Sequence, residues 1–287
     1  MKVGIFHSFM SPVSDVGTIA EFGRRAEDGG FDSLWLGEHV AVFDDMEFPY
    51  PGSRDGKLPV PAGHGMLDTV CCFAVLAAAT TRLRLGTGIC LVPQRNPIYT
   101  AKEFATLDWL SKGRMDFGVG VGWCKEEVLA CGYGWEDRGE RADEFLDLMQ
   151  ALWTRDVVDF QGRHVSVKGC RMEPKPIQSP HIPIIVGGHS PAAFRRAARV
   201  GAGWFGFGLS PEAASRCIQG IEAALRDVGR GLAGFEIIVA PPGRPSADTI
   251  KAYADLGIDR LVLLHGASSA EKLLRGVDEL AALVAAA

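Results

Sequence analysis

No apolar run in the 287-residue chain reaches 18 residues, the length a membrane-spanning helix requires. Basic charge is not in excess: 30 Lys and Arg stand against 35 Asp and Glu, a net charge of −5. That balance leaves no footprint for nucleic acid or an anionic membrane, although a local cluster of donors can still hold an anion. Metal-binding spacings are missing. Neither HExxH nor CxxC occurs, Cys71 and Cys72 sit side by side in a helical pattern and point apart, and Cys124 and Cys131 lack nearby ligating partners. Without a G-x-S-x-G elbow, serine hydrolase chemistry has no anchor. The seven cysteines are odd in number with no pairing pattern, and the opening MKVGIFHSFMSPVSD has too short an apolar stretch for a secretion signal. The expectation is a cytoplasmic chain without a metal. Its 47% apolar and 23% charged residues suit a packed core.

What is present is a rhythm of short β-branched runs and longer amphipathic ones. Strands are expected at residues 3–7, 33–37, 83–90, 115–118, 183–186, 203–207, 235–240 and 260–264. Helices are expected at 15–29, 67–79, 97–110, 138–152, 191–200, 211–228, 247–256 and 269–284, with a short one at 125–131. Eight strands each followed by a helix predict a single (β/α)₈ TIM barrel over 1–287, with an open doubly wound sheet as the alternative. Two segments interrupt the rhythm. Residues 41–64, with FPYPGSRDGKLPVPAGHG, follow the second strand and read as a lid at the C-terminal face. Residues 156–181 read as a hairpin turning at Gln161-Gly162, then an extended arm.

Four motifs cluster where that face would lie. GVGVGW, ending at Trp123, fails the dinucleotide spacing, because Trp stands where G-x-G-x-x-G needs its third Gly. Its glycines instead allow a strand end to approach a flat ring or a loop. IPIIVGGHSP runs a strand into Gly187, Gly188, His189 and Ser190 before Pro191, a phosphate cradle at a helix N-terminus or simply an N-cap. Arg195, Arg196 and Arg199 beyond it read as surface charges. LWLGEHV places Glu38 and His39 just after a strand, where His39 is either an acid–base group or a satisfied structural imidazole. Gln94, Arg95 and Asn96 end another strand as polar groups able to meet a heterocycle, and His7 ends the first strand, pointing at the same mouth.

These blocks resemble the bacterial-luciferase-like superfamily, specifically its coenzyme F420-dependent oxidoreductases. The resemblance rests on LWLGEHV, LGTGICLVPQRNP, AKEFATLDWLSKGRMDFGVGVGW, RGERADEFLDLMQALWT and PIIVGGHSPAAFRRAARVGAGW, in that order over about residues 3 to 207. It implies a barrel that binds F420 or a reduced flavin at its C-terminal face, with a cis peptide at Gly88–Ile89 backing the ring. His39 matches the ring-contacting His, Gly120 and Val121 the ring-edge segment, and Gly187, Gly188, His189 and Ser190 the phosphate loop. Members that oxidise sugar phosphates carry Glu where Trp123 stands here. The departure implies an apolar substrate pocket formed by Trp123 with Phe43, Phe48 and Tyr50, with His7 beside it. The expected activity is hydride transfer with F420. An FMNH₂- and oxygen-dependent monooxygenase is the nearest alternative, and a non-catalytic cofactor-binding protein is the alternative of another class. A homodimer is also implied, with the helical face at residues 145–153 as its contact.

Overall fold

The structure is a computed structural model that describes residues 1–286 other than Pro51, Gly52, Arg54 and Arg244. Its eight barrel strands are β1 (Lys2–His7), β2 (Ser33–Leu36), β3 (Arg84–Thr87), β4 (Met115–Gly120), β5 (Ile184–Gly187), β6 (Gly203–Phe207), β7 (Glu236–Ala240) and β8 (Arg260–Leu264). All neighbours are parallel, and pairing of β8 with β1 and of β5 with β4 closes the sheet into a barrel. The surrounding helices are α1 (Val16–Asp28), α2 (Thr69–Ala79), α3 (Pro97–Leu110), α4 (Lys125–Ala130), α5 (Arg138–Thr154), α6 (Pro191–Val200), α7 (Pro211–Asp227), α8 (Ala247–Ala254) and α9 (Ala270–Ala286). No helix among the described residues is long and apolar enough to cross a membrane.

The caps explain the boundaries. Asp15, Asp68, Asn96, Ser190, Ser210 and Ser246 each accept a hydrogen bond from a first-turn N–H, satisfying donors that a helix start leaves free. Pro stands at the start of α3, α6 and α7, where its missing N–H does no harm. The expected third strand is interrupted. β3 ends at Thr87, and a two-residue strand, Cys90–Leu91, resumes pairing with β4. From the pair Gly86–Asp116 to the pair Cys90–Val119, one strand advances four residues and the other three. The extra residue is a β-bulge centred on Gly88 and Ile89, and the peptide between them is cis. The described part of the expected lid contains no helix or strand from residue 41 to 64, while Pro51, Gly52 and Arg54 lie outside the described residues. A hairpin of Val158–Gln161 and Ser166–Cys170 precedes β5.

Strand alternation sorts the side chains into two cores. Trp35, Ile185, Phe205, Ile238, Ala240 and Val262 fill the barrel, with Phe6, Ile89, Phe207 and Leu264 packed above them. The larger core lies between strands and helices and includes Ile5, Phe22, Phe104, Phe117 and Trp153. This parity corrects one expectation. His7 follows inward-facing Phe6, so it turns outward, stacks on Phe22 of α1 with centroids 5.2 Å apart, and donates from Nδ1 to the His265 carbonyl at 3.0 Å. It does not line the mouth. A second correction concerns α5. Phe145, Leu146, Leu148, Met149, Leu152 and Trp153 are all buried in the chain's own core and are not free for a partner.

Burial lowers His7 to a pKa of about 4, and His265 beside it is also lowered to about 4 by burial. Both rings are neutral when folded and bind protons readily when unfolded. Between pH 6.5 and 4 the unfolded chain therefore holds more protons, and stability falls as pH falls through that window. The slope is at most about 1.4 kcal/mol per pH unit for each ring, and smaller for His265, which solvent reaches. Urea midpoints should drop between pH 7 and pH 5, and His7→Phe should flatten that drop; equal midpoints at the two pH values would refute it.

Candidate functional site

The C-terminal ends of the strands form a mouth whose floor is apolar and whose walls lack side chains at key points. Phe6 and Phe207 meet at 5.1 Å, and a Cβ on Gly88 would lie 2.9 Å from the Phe6 ring. Ile89, half-buried, extends from the bulge across the mouth. A Cβ on Gly120 would overlap its Cδ1 at 1.8 Å, and one on Gly187 would come within 3.0 Å of its Cγ2. Gly88, Ile89, Gly120 and Gly187 are thus one packed unit. Below it, a Cβ on Gly118 would stand 1.8 Å from the Thr87 carbonyl, so only glycine lets the bulge approach β4 this closely.

The phosphate-loop candidates end β5. Gly188 takes a φ of +113°, and Ser190 accepts from Ala193 N at 3.2 Å as the N-cap of α6. Both readings of this turn therefore coexist: Ser190 caps, while residues 188–190 remain exposed beside the helix start. His189 Nε2 accepts from Phe207 N at 3.3 Å, and partial desolvation of its ring lowers its pKa. Trp204 Nε1 donates to the Gly188 carbonyl at 2.7 Å, fixing the turn from outside the barrel. Arg196 and Arg199 are engaged with Asp143, and Arg196 is buried, contrary to its expected surface position.

On the opposite rim, Glu38 and His39 have separate tasks. Glu38 is buried; burial pushes its carboxyl pKa up, and the Arg95 guanidinium opposes that shift. It accepts from Leu91 N at 2.6 Å and pairs with Arg95, tying β2 to the chain just past the bulge. Arg95 also pairs with Glu103 and Asn96 caps α3, so neither is free to meet a ligand. Gln94 is buried, with neither end of its amide partnered among the described residues. His39 is 11% exposed, and its Nδ1 lies 2.8 Å from Oε2 of Glu127 on α4. Its ring meets Trp123 edge-on at 5.6 Å, and Trp123 meets Tyr50 at 5.2 Å.

The aromatic wall is therefore narrower than expected. Phe48 stacks on Trp135 at 5.6 Å instead of joining Trp123, with the Arg138 guanidinium 3.5 Å from the Trp135 ring centre. Phe43 is half-buried outside that stack, on the irregular strap that follows β2 (residues 40–64, including the expected lid), and Val121 is half-buried on the loop leading to Trp123. Glu127 was not anticipated, since its partner lies 88 residues away in sequence; the only hint was a Glu pair opening the short helix after GVGVGW. A cavity of about 180 Å³ lies beside His39, between residues 38–40 and 66–69. A larger one, about 350 Å³, lies at the other end of the barrel. Arg260 there pairs with Asp32, Asp116 and Glu236, and Arg84 with Asp116.

A family model described as luciferase-like monooxygenase matches residues 1–272. An F420-dependent glucose-6-phosphate dehydrogenase of Amycolatopsis mediterranei is 28% identical over 276 residues, covering 91% of this chain and 77% of its own. An FMNH₂-dependent dimethylsulfone monooxygenase of Pseudomonas putida is 34% identical over 173 residues, 58% of this chain and 46% of its own. Among solved structures, an F420-dependent secondary alcohol dehydrogenase in complex with an F420-acetone adduct superposes with a TM-score of 0.80 at 19% identity, covering 99% of this chain and 98% of that one.

The packing at the mouth has a direct test. Gly120→Ala should destabilise the fold by about 1–3 kcal/mol through overlap with Ile89. Adding Ile89→Ala should recover part of that loss, and strictly additive penalties in a double-mutant cycle of urea midpoints would disprove the contact.

Proposed function

Because the chain belongs to the luciferase-like monooxygenase family, we propose that it is an oxidoreductase that transfers a hydride between coenzyme F420 and a small organic substrate. The carrying observation is the mouth itself. An apolar floor of Phe6, Ile89 and Phe207, faced by the glycines 88, 120 and 187, suits a flat ring laid against the bulge. The exposed turn at residues 188–190, whose backbone N–H groups lie next to the positive end of α6, suits the phosphate of the same molecule. The longer of the two relative alignments is with the F420-dependent enzyme, which favours F420 over FMN.

When bound, a deazaflavin supplies the hydride-carrying carbon. The chain's own residues bind, orient and exclude water. Ile89 and the bulge prop one face of the ring, and Gly187, Gly188, His189 and Ser190 hold the phosphate end. Trp123 and Tyr50 wall off the substrate from solvent on the strap side. Neither side chain carries a fixed charge, which suits an apolar or neutral substrate better than a sugar phosphate. His39 holds or moves the proton that accompanies hydride transfer.

Titration of the purified protein with F420 and with FMN, followed by ligand fluorescence, tests the cofactor. Tighter binding of F420 supports the reading, whereas preference for FMN favours a flavin monooxygenase. Once a substrate is found, His39→Ala should lower kcat by about 10²–10⁴-fold, and an unchanged kcat would leave His39 a structural residue.

A homodimer accompanies the same reading. With α5 buried, the outward face of α3 is the candidate contact, where Tyr99, Trp109 and Leu110 are 72%, 53% and 58% exposed. Light scattering should return twice 30.8 kDa, and a monomeric mass would exclude the dimer.

A further inference from the structure

Glu127 is 1% exposed, and both of its carboxylate oxygens are engaged by the segment that follows β2. Oε2 lies 2.8 Å from His39 Nδ1, while Oε1 accepts from Val40 N at 2.6 Å and from Ala41 N at 3.3 Å. The strap is fastened to the same short helix again at Glu47, whose backbone N donates to Glu126 Oε1 at 2.9 Å and whose carboxylate pairs with Lys125. His39 Nε2 has no partner among the described residues, so the two ring nitrogens sit in unlike surroundings.

An ionised carboxylate can only accept, so the nitrogen facing it must carry hydrogen. We propose that Glu127 is the positioning residue of the site: it holds the hydrogen of the neutral His39 ring on Nδ1, leaves Nε2 as the lone-pair nitrogen, and docks the strap with the same group. Which nitrogen exchanges a proton with substrate is thereby set from α4, and the ring is oriented only while residues 40 and 41 are in place. A buried carboxylate with three N–H partners is a better clamp than a hydroxyl or an amide, because charge-assisted bonds are roughly twice as strong as neutral ones. The consequence for turnover rests on the oxidoreductase reading; the position of the hydrogen does not.

The test is a long-range proton–nitrogen correlation spectrum of the purified chain carrying ¹⁵N-histidine, with the His39 signals identified by their loss in His39→Gln. At a pH where the ring is neutral, the wild-type protein should show hydrogen on Nδ1. In Glu127→Gln, the amide oxygen can still accept from Val40 N while its NH₂ now donates to the ring, so the hydrogen should move to Nε2. Neutral wild-type protein with hydrogen on Nε2, or a Gln variant that keeps it on Nδ1, overturns the assignment. If Glu127→Gln does not fold, the wild-type spectrum alone decides. These spectra need no cofactor, so a failed F420 titration does not alter what they show about the ring. Where turnover is measurable, the swapped hydrogen should lower kcat by about 10²–10⁴-fold with KM little changed, as a misplaced imidazole hydrogen does elsewhere. Removal of a merely structural bond would not exchange the two nitrogens.

Discussion

The indole of Trp35 occupies the barrel axis, and the strands around it are built to leave it room. A Cβ on Gly86 would lie 2.6 Å from the Trp35 ring, and Cβ atoms on Gly4 and Gly118 would each lie 3.4 Å from it. Phe205 stacks on the ring at 5.2 Å and 13°, Ser33 Oγ accepts from Nε1 at 2.9 Å, and the Arg260 guanidinium sits 5.7 Å from the ring centre. Barrels of this kind usually fill their interior with layers of branched aliphatic residues. Here one large aromatic takes the space of several, and because interior volume is nearly conserved, its neighbours at matching inward positions must be small.

That choice shapes both ends of the barrel. Beneath Trp35, the inward positions of β3, β4, β7 and β8 are charged, and Arg260, only 1% exposed, is matched by three carboxylates. Removing any one partner would leave a buried charge short of compensation. Above Trp35 and Phe205 the inward positions are Phe6, Gly88, Gly120, Gly187 and Phe207, which leave a shallow apolar floor. The bulge then directs Ile89 across that floor, and Glu38 ties the chain just beyond it to β2. Depth and flatness of the mouth thus follow from the Trp35–Phe205 stack beneath it and from the glycines 88, 120 and 187 that pack against Phe6 and Ile89 above.

The barrel itself was legible because parallel βα units announce themselves twice, through hydrophobic runs of strand length and through capped helices of the right period. The bulge was legible only as a resemblance; composition alone reads residues 83–90 as one continuous strand. His7 shows the limit of reasoning from position along a strand. Its place at the end of β1 suggested the mouth, yet a period of two puts Phe6 inside and His7 against Phe22. The face at residues 145–153 failed for a related reason: an apolar stripe says that something covers it, not whether the cover is another chain or this one. Phe48 and Tyr50, two residues apart on an irregular strap, meet different tryptophans, and no periodic rule governs a segment without secondary structure. Glu127 was invisible because a carboxylate at the start of a helix normally reads as complementing the helix dipole.

The titratable groups around the mouth then narrow where a proton can be exchanged. Trp123 has no proton to give at neutral pH, and burial raises the pKa of Tyr50, which keeps its hydroxyl protonated. Glu38 is held by Arg95 and Leu91 N. His189 spends Nε2 on the backbone of Phe207, and partial desolvation disfavours its charged form. His39 is left with one nitrogen fixed by Glu127 and the other without a partner among the described residues. In the proposed reaction, hydride transfer to or from a carbon bearing oxygen would require a proton to move at that oxygen. Of the side chains on this rim, His39 is the one with a ring nitrogen left unpartnered among the described residues, which is why the proposed proton exchange is assigned to it.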